Sequence, residues 1–386
     1  METHKNRWLE LSRTLGERMG AKRSPPGDEK IFADAILREM AQDRLIWAMA
    51  PKDLGGEGLN LDETARITCD VARLSGSAGL IYAMHASQAL TLLRHAGQSH
   101  YLRALTQRLI SDQLLVASGT SEKGVGGDIF GSRCRLETTE PGRFKLLKES
   151  PNVSYLDLAG AILITGVLPA QEGKEIQVLV AASKDELEFE PGAATHFMGM
   201  RGILNRPYLL RTSFSEEAIF AESYPVIARA TMTPTVHILW AALWCGLAGH
   251  ILDKVKHLVG KEYGAETEMA GVMRFELSRL VDKHYQMNAL VRDAVAAFHA
   301  GPSKAATSIV QTTRIKRLKT TCSALLSEIC VEALDLLGIR GYAEAGPLSV
   351  AEPIRDAFSA RVMISNYRLL TANAKVERFI NESLSK

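Results

Sequence analysis

The stretch ASGTSEKGVGGDI, residues 117–129, places a threonine, two serines and four glycines directly behind the apolar run LLV. Glycines at this density let backbone N–H groups approach a ligand closely, because no Cβ stands in the way. Three readings follow from the residues alone: a phosphate cradle, the lip of a pocket for a planar cofactor, or a flexible hairpin turn. No GxxxxGK[ST] loop and no GxGxxG after a strand occurs anywhere in the chain, so the nucleotide-binding forms of such a loop are not indicated. Histidines are the other chemistry-bearing group. His85, His95, His100, His284 and His299 lack the spacing of ligands on one helix, and the five cysteines (Cys69, Cys134, Cys245, Cys322, Cys330) contain no CxxC pair. No metal site is expected. His237 lies inside an apolar helix pattern, where it reads equally as a base or as a satisfied core histidine.

The elements that must hold these residues fall into three blocks. Residues 1–115 repeat apolar positions at helical spacing, as in IFADAILREMAQDRLIWAMA, interrupted by the Pro/Gly break PKDLGGEGLN. Residues 116–225 change to short β-branched or alternating runs (FKLLKE, AILITG, EIQVLVAAS, YLLRTSF) between Gly, Pro, Asp and Asn, the pattern of a small, mainly antiparallel β-domain. Residues 226–386 return to long helical periods. Helices, then strands, then helices, without βαβ alternation, indicate an α+β chain and argue against a doubly wound sheet.

Composition narrows the function. Across 386 residues the net charge is +2, with 46% hydrophobic and 23% charged residues, which gives no field for nucleic acid. Arg314, Lys316, Arg317 and Lys319 read as a solvated helix face. Ala230 to Leu252 contains no Asp, Glu, Lys or Arg and so mimics a membrane span. Pro234, His237 and His250 within it favour a buried central helix, and no membrane association is expected. The N-terminus has no apolar signal core, and the scattered cysteines suit a reducing cytoplasm.

Five motifs in order, over some 300 residues, resemble the acyl-CoA dehydrogenase family. APKDLGGEGLN (50–60) is similar to the loop before a helix of its N-domain, and SGTSEKGVGGD (118–128) to its entry into the β-domain. MGMRG (198–202), CGLAGHILDK (245–254) and LLGIRGY (336–342) followed by IRDA (354–357) resemble later segments. The resemblance implies a helical N-terminal domain, a β-barrel-like middle domain and a C-terminal four-helix bundle. It implies FAD held between the β-domain and the bundle, an acyl-CoA or acyl carrier protein thioester as substrate, and a homodimer or homotetramer in which the partner completes the flavin site. On that resemblance Thr120 lies against the isoalloxazine edge, Gly126 and Gly127 let backbone pass close to the pyrophosphate or the thioester, and Ser154 supplies a second flavin-facing hydroxyl. Lys261, Gly338 and Arg340 fall where the partner's FAD diphosphate is bound. The family's glutamate base is missing. One of its positions falls among Ile364, Ser365, Asn366 and Tyr367; the other falls at Val236 beside His237. Asn366 and His237 are therefore the candidates for catalytic duty, His237 as a substitute base. A flavin monooxygenase of the same fold needs no such base, and a non-catalytic acyl-binding relative is the third reading.

Overall fold

A computed structural model describes residues 2–19, 27–125, 130–169, 175–264, 267–300 and 309–380, with the side chains of 2–6 and Pro169 excepted. Five helices come first: α1 (Glu2–Arg18), α2 (Glu29–Gln42), α3 (Leu61–Leu74), α4 (Gly76–His95) and α5 (His100–Ser111). Local chemistry sets their starts. Asn60 and Glu63 form a reciprocal capping box on α3, and the Ser75 and Ser99 hydroxyls accept the first free N–H groups of α4 and α5.

Among the described residues seven strands follow: β1 (Leu115–Gly119), β2 (Glu137–Glu140), β3 (Arg143–Val153), β4 (Ala159–Pro169), β5 (Glu175–Ser183), β6 (Leu187–Pro191) and β7 (Arg206–Ser215). They form two sheets, ordered β1-β4-β5 and β2-β3-β7-β6. All pairings are antiparallel except β1 with β4, which run parallel. β4 and β5 pair from Ala161–Ser183 to Pro169–Glu175 and contribute an almost unbroken run of buried residues, so they form the centre of the domain.

The chain then enters α6 (Tyr224–Ile227), a π-helical turn (Ala228–Met232) and α7 (Thr233–Glu262). This is the segment that reads as a membrane span. It is long and apolar enough to cross one, yet 89% of its most apolar window is buried. Its neighbours are α3, α8 (Glu268–His299) and α9 (Ile309–Leu337). At Gly246 a methyl group would overlap the carbonyl of Cys69 on α3, so glycine permits the close crossing of α3 and α7. α10 (Ile339–Tyr342), α11 (Ala351–Phe358) and α12 (Asn366–Ala374) complete the molecule. Arg314, Lys316 and Arg317 stay partly exposed, but Lys319 departs from the expected solvated face: it is 0% exposed, because α9 turns that side toward α7 and the chain after α11.

Candidate functional site

The glycine-rich segment leaves the end of β1 and is held at both flanks. The Ser121 hydroxyl donates to the Asn152 carbonyl (2.7 Å) and pairs with the Ser150 hydroxyl (2.8 Å), so the chain runs along the end of β3. Glu122 closes the segment on itself: its carboxylate accepts from Arg133 N (2.8 Å) and Ser132 Oγ (2.7 Å), and lies 3.4 Å from Lys148 Nζ. Lys148 is buried and donates to both the carbonyl and the hydroxyl of Thr165 on β4. Burial holds its pKa below the usual lysine value, with Glu122 opposing. The result is a stapled loop, with Gly124 in the left-handed region at φ +85°. Gly126 and Gly127 lie outside the described residues. Thr120 is half-buried, its hydroxyl 3.4 Å from Ser118. Ser154 is buried just beyond β3. The bonds of Ser121 to Ser150 and Asn152 thus bring the segment bearing Thr120 to the stretch bearing Ser154. Sequence reading passed over Ser121, although its hydroxyl makes this junction; the second hydroxyl of Thr120-Ser121 was the available signal.

Tyr155 beside Ser154 is a packing residue. It is fully buried, its backbone is left-handed (φ 44°), and its hydroxyl donates to Val116 O (3.0 Å). That bond and the acceptance of Val116 N by His85 Nδ1 (3.0 Å) satisfy both backbone groups of Val116, on the side of β1 away from β4.

The two candidates for the base position sit elsewhere than in an open site. His237 is buried, stacks on Trp240 (5.7 Å between centroids) and has its Nδ1 3.4 Å from Ile315 O. Burial lowers its pKa to about 4, so the imidazole is neutral at pH 7 and a weak proton acceptor. Asn366 is fully engaged: its Oδ1 accepts from Lys319 Nζ (2.6 Å) and its Nδ2 donates to Ser323 Oγ (2.8 Å). Asn366 therefore anchors the turn rather than presenting an amide to a ligand. Lys319 also donates to the carbonyl of Ile364. Sequence reasoning missed Lys319 and Ser323 because the contacts join α9 to residues more than 40 positions later.

Lys261 and Arg340 line one cleft of about 250 Å³, with His257, Glu262 and Gly346. Arg340 is held there in a bidentate ion pair with Glu262. Gly338 adopts φ 59° beside it, and a Cβ would meet open space. As a seat for an anion the cleft is cationic but carries one competing carboxylate. As a seat for a planar ring, the Thr120–Ser154 rim offers hydroxyls on a stapled, partly buried frame. The hydroxyls present therefore fit a planar flavin edge at the rim.

MGMRG and IRDA meet in space. Asp356 is buried; it accepts from Met200 N and packs against Gly76 at the start of α4. A methyl at Gly199 would overlap the carbonyl of Arg355. Glu29 on α2 faces Arg201 and Arg355 at 3.8 Å each, and Ser77 Oγ accepts from Gly202 N (3.0 Å). Arg201 thus reaches from the β-domain toward the N-domain.

A profile of the acyl-CoA dehydrogenase N-terminal domain matches residues 14–113. The rice (Oryza sativa subsp. japonica) mitochondrial isovaleryl-CoA dehydrogenase is 32% identical over 94 residues, which is 24% of this chain and 23% of that protein. Among solved structures, butyryl-CoA dehydrogenase from Megasphaera elsdenii superposes with a TM-score of 0.82 at 17% identity, covering 97% of this chain and 98% of that one. The prolyl acyl carrier protein oxidase AnaB superposes with a TM-score of 0.77 at 14% identity, with 97% of both chains covered. The sequence match spans about a quarter of the rice protein, whereas the fold match spans the whole chain. Residues 14–113 thus match the N-terminal domain of the acyl-CoA dehydrogenases, and the chain as a whole shares the fold of butyryl-CoA dehydrogenase.

Proposed function

We propose that the protein is an FAD-dependent oxidoreductase that removes hydrogen from Cα–Cβ of an acyl thioester carried by CoA or by an acyl carrier protein. The observation that carries this reading is the stapled hydroxyl rim, in which Ser121 joins the segment bearing Thr120 to the stretch bearing Ser154, the two residues that the family resemblance assigns to the flavin edge. Bound there, FAD would accept a hydride; the protein's part is to orient the ring and to polarise the thioester carbonyl. Neutral His237 and the engaged Asn366 leave proton removal without a carboxylate at either family position. That observation favours one second reading, a monooxygenase of the same fold, in which reduced flavin reacts with oxygen and no α-proton is taken. A carrier-bound substrate is supported by the likeness to the carrier protein oxidase.

The family's shared flavin site further supports a homodimer or homotetramer, with Lys261 and Arg340 serving the partner's FAD diphosphate. Exposed apolar side chains on α8 and near α10 (Met269, Val272, Phe275, Ile339, Tyr342) suit such a contact. Five free thiols, four of them buried, suit a cytoplasmic location.

The test uses the purified chain. A flavin absorption spectrum and a solution mass above that of the monomer are expected. Anaerobic bleaching by an acyl thioester alone supports dehydrogenation. Reduction only by an external flavin reductase, with oxygen consumption, replaces it with the monooxygenase. A colourless protein that refuses micromolar FAD ends both readings.

A further inference from the structure

Lys319 stands out among the charged residues of the bundle. Its side chain projects from the middle of α9 and is 0% exposed. What covers the ammonium is the turn 359–366: Nζ donates to Ile364 O and to Asn366 Oδ1, while Asn366 Nδ2 is held by Ser323. Beneath lies the ring of Trp244, 6.0 Å from Nζ. Among the described residues no carboxylate pairs with Lys319. A buried ammonium with only neutral acceptors bears an unrelieved desolvation cost. The cost vanishes once the turn lifts and water reaches the amine.

We propose that Lys319 is a positioning residue for the turn 359–366, sealed beneath it so that opening of the turn depends on whether the amine is protonated. The turn bears the position where the family places its catalytic carboxylate; its relevance to the reaction rests on the function proposed above, but the latch itself does not.

The sign follows from linkage. With the turn closed, desolvation and then the charge of Arg361 lower the Lys319 pKa to about 8. With the turn open, the amine returns to an ordinary lysine value of about 10.4. Opening thus takes up a proton between those values. The turn is easiest to open below pH 8 and tightens as pH rises. Arg361 on the turn and His237 on α7 are the titratable groups facing Lys319, with Lys316 on its own helix. His237 is neutral from pH 7 upward and does not titrate in the window.

The experiment is amide hydrogen exchange of the protein as purified, between pH 7 and pH 9, corrected for intrinsic rates. The reporters are Val362 and Met363, whose N–H groups bond to Ser359 O, and Leu369, bonded to Ser365 O. Their opening constants should fall about tenfold over this range, while the core of α3 shows no such change. Lys319→Met should abolish the slope whatever it does to the baseline, and Lys316→Gln should retain it. A flat or opposite slope in the unsubstituted chain overturns the proposal, as does a slope that survives Lys319→Met or disappears in Lys316→Gln. Should Lys319→Met fail to fold, the other two series decide. A flavoprotein with a flat profile defeats this proposal alone; a sloping profile in a protein that binds no flavin defeats the functional reading alone.

Discussion

His85 and His237 are both buried and both have their pKa pushed down to about 4 by desolvation, but they are held differently. His85 Nδ1 accepts from Val116 N, so Nε2 carries the proton and donates to Ile46 O at 3.1 Å; this fixes the tautomer and ties the N-domain to β1. Protonating Nδ1 would break that tie. Each histidine binds a proton in the unfolded chain near pH 6.5 and in the folded one only near 4, so stability is complete above about 6.5 and is lost as pH falls. Together they predict a loss of up to about 3 kcal/mol per histidine by pH 4. Urea denaturation at pH 7 and pH 5 reads it. His237→Phe should reduce the pH dependence, and an unchanged pH dependence in that variant would show that His237 is not the buried neutral group described.

Helix α7 shows how an element can mislead and then explain itself. Its uncharged run serves three neighbours at once: α3 on the Gly246 side, α9 through Trp244 and His237, and α8 through the bond between Cys245 O and His284 (3.0 Å). Surrounded in this way, the helix has no polar face to display, and its composition converges on that of a membrane span. The dependence on close approach is testable. Gly246→Ala drives a methyl into the Cys69 carbonyl and should cost about 1–3 kcal/mol despite the better helix propensity of alanine. A urea midpoint equal to or above that of the unsubstituted chain would mean that α3 and α7 can separate freely.

For the whole molecule, the junction at Asp356 joins the three domains. One carboxylate receives a backbone N–H of the β-domain, lies against the N-terminus of α4, where the helix dipole favours negative charge, and itself belongs to the bundle. Asp356→Ala leaves the buried Met200 N–H without this acceptor, at a cost of about 1–3 kcal/mol, and removes the charge from the α4 terminus. Thermal unfolding followed in parallel by far-UV and tryptophan signals should shift down and lose coincidence, as the domains uncouple. Asp356→Asn, which keeps an acceptor, should restore coincidence. If Asp356→Ala melts with the same midpoint in a single step, the junction is not what couples the domains.

The order of the domains was legible along the chain because periodicity is a local property: helical spacing to about 115, strand alternation to about 225 and helical spacing after it reflect which side of each element meets water. The hydroxyl- and glycine-rich entry to the β-domain was legible for the same reason, as was the absence of a carboxylate at both base positions. What side chains do in partnership was not legible. Lys319 reads as one cation in a solvated row and Asn366 as a candidate for catalytic duty, until α9 is laid against the turn. Burial, protonation and hydrogen bonding are set by neighbours distant in sequence. The chain alone therefore determined which groups are available, and only the packing of its three domains decided which of them are charged, engaged or open to a ligand.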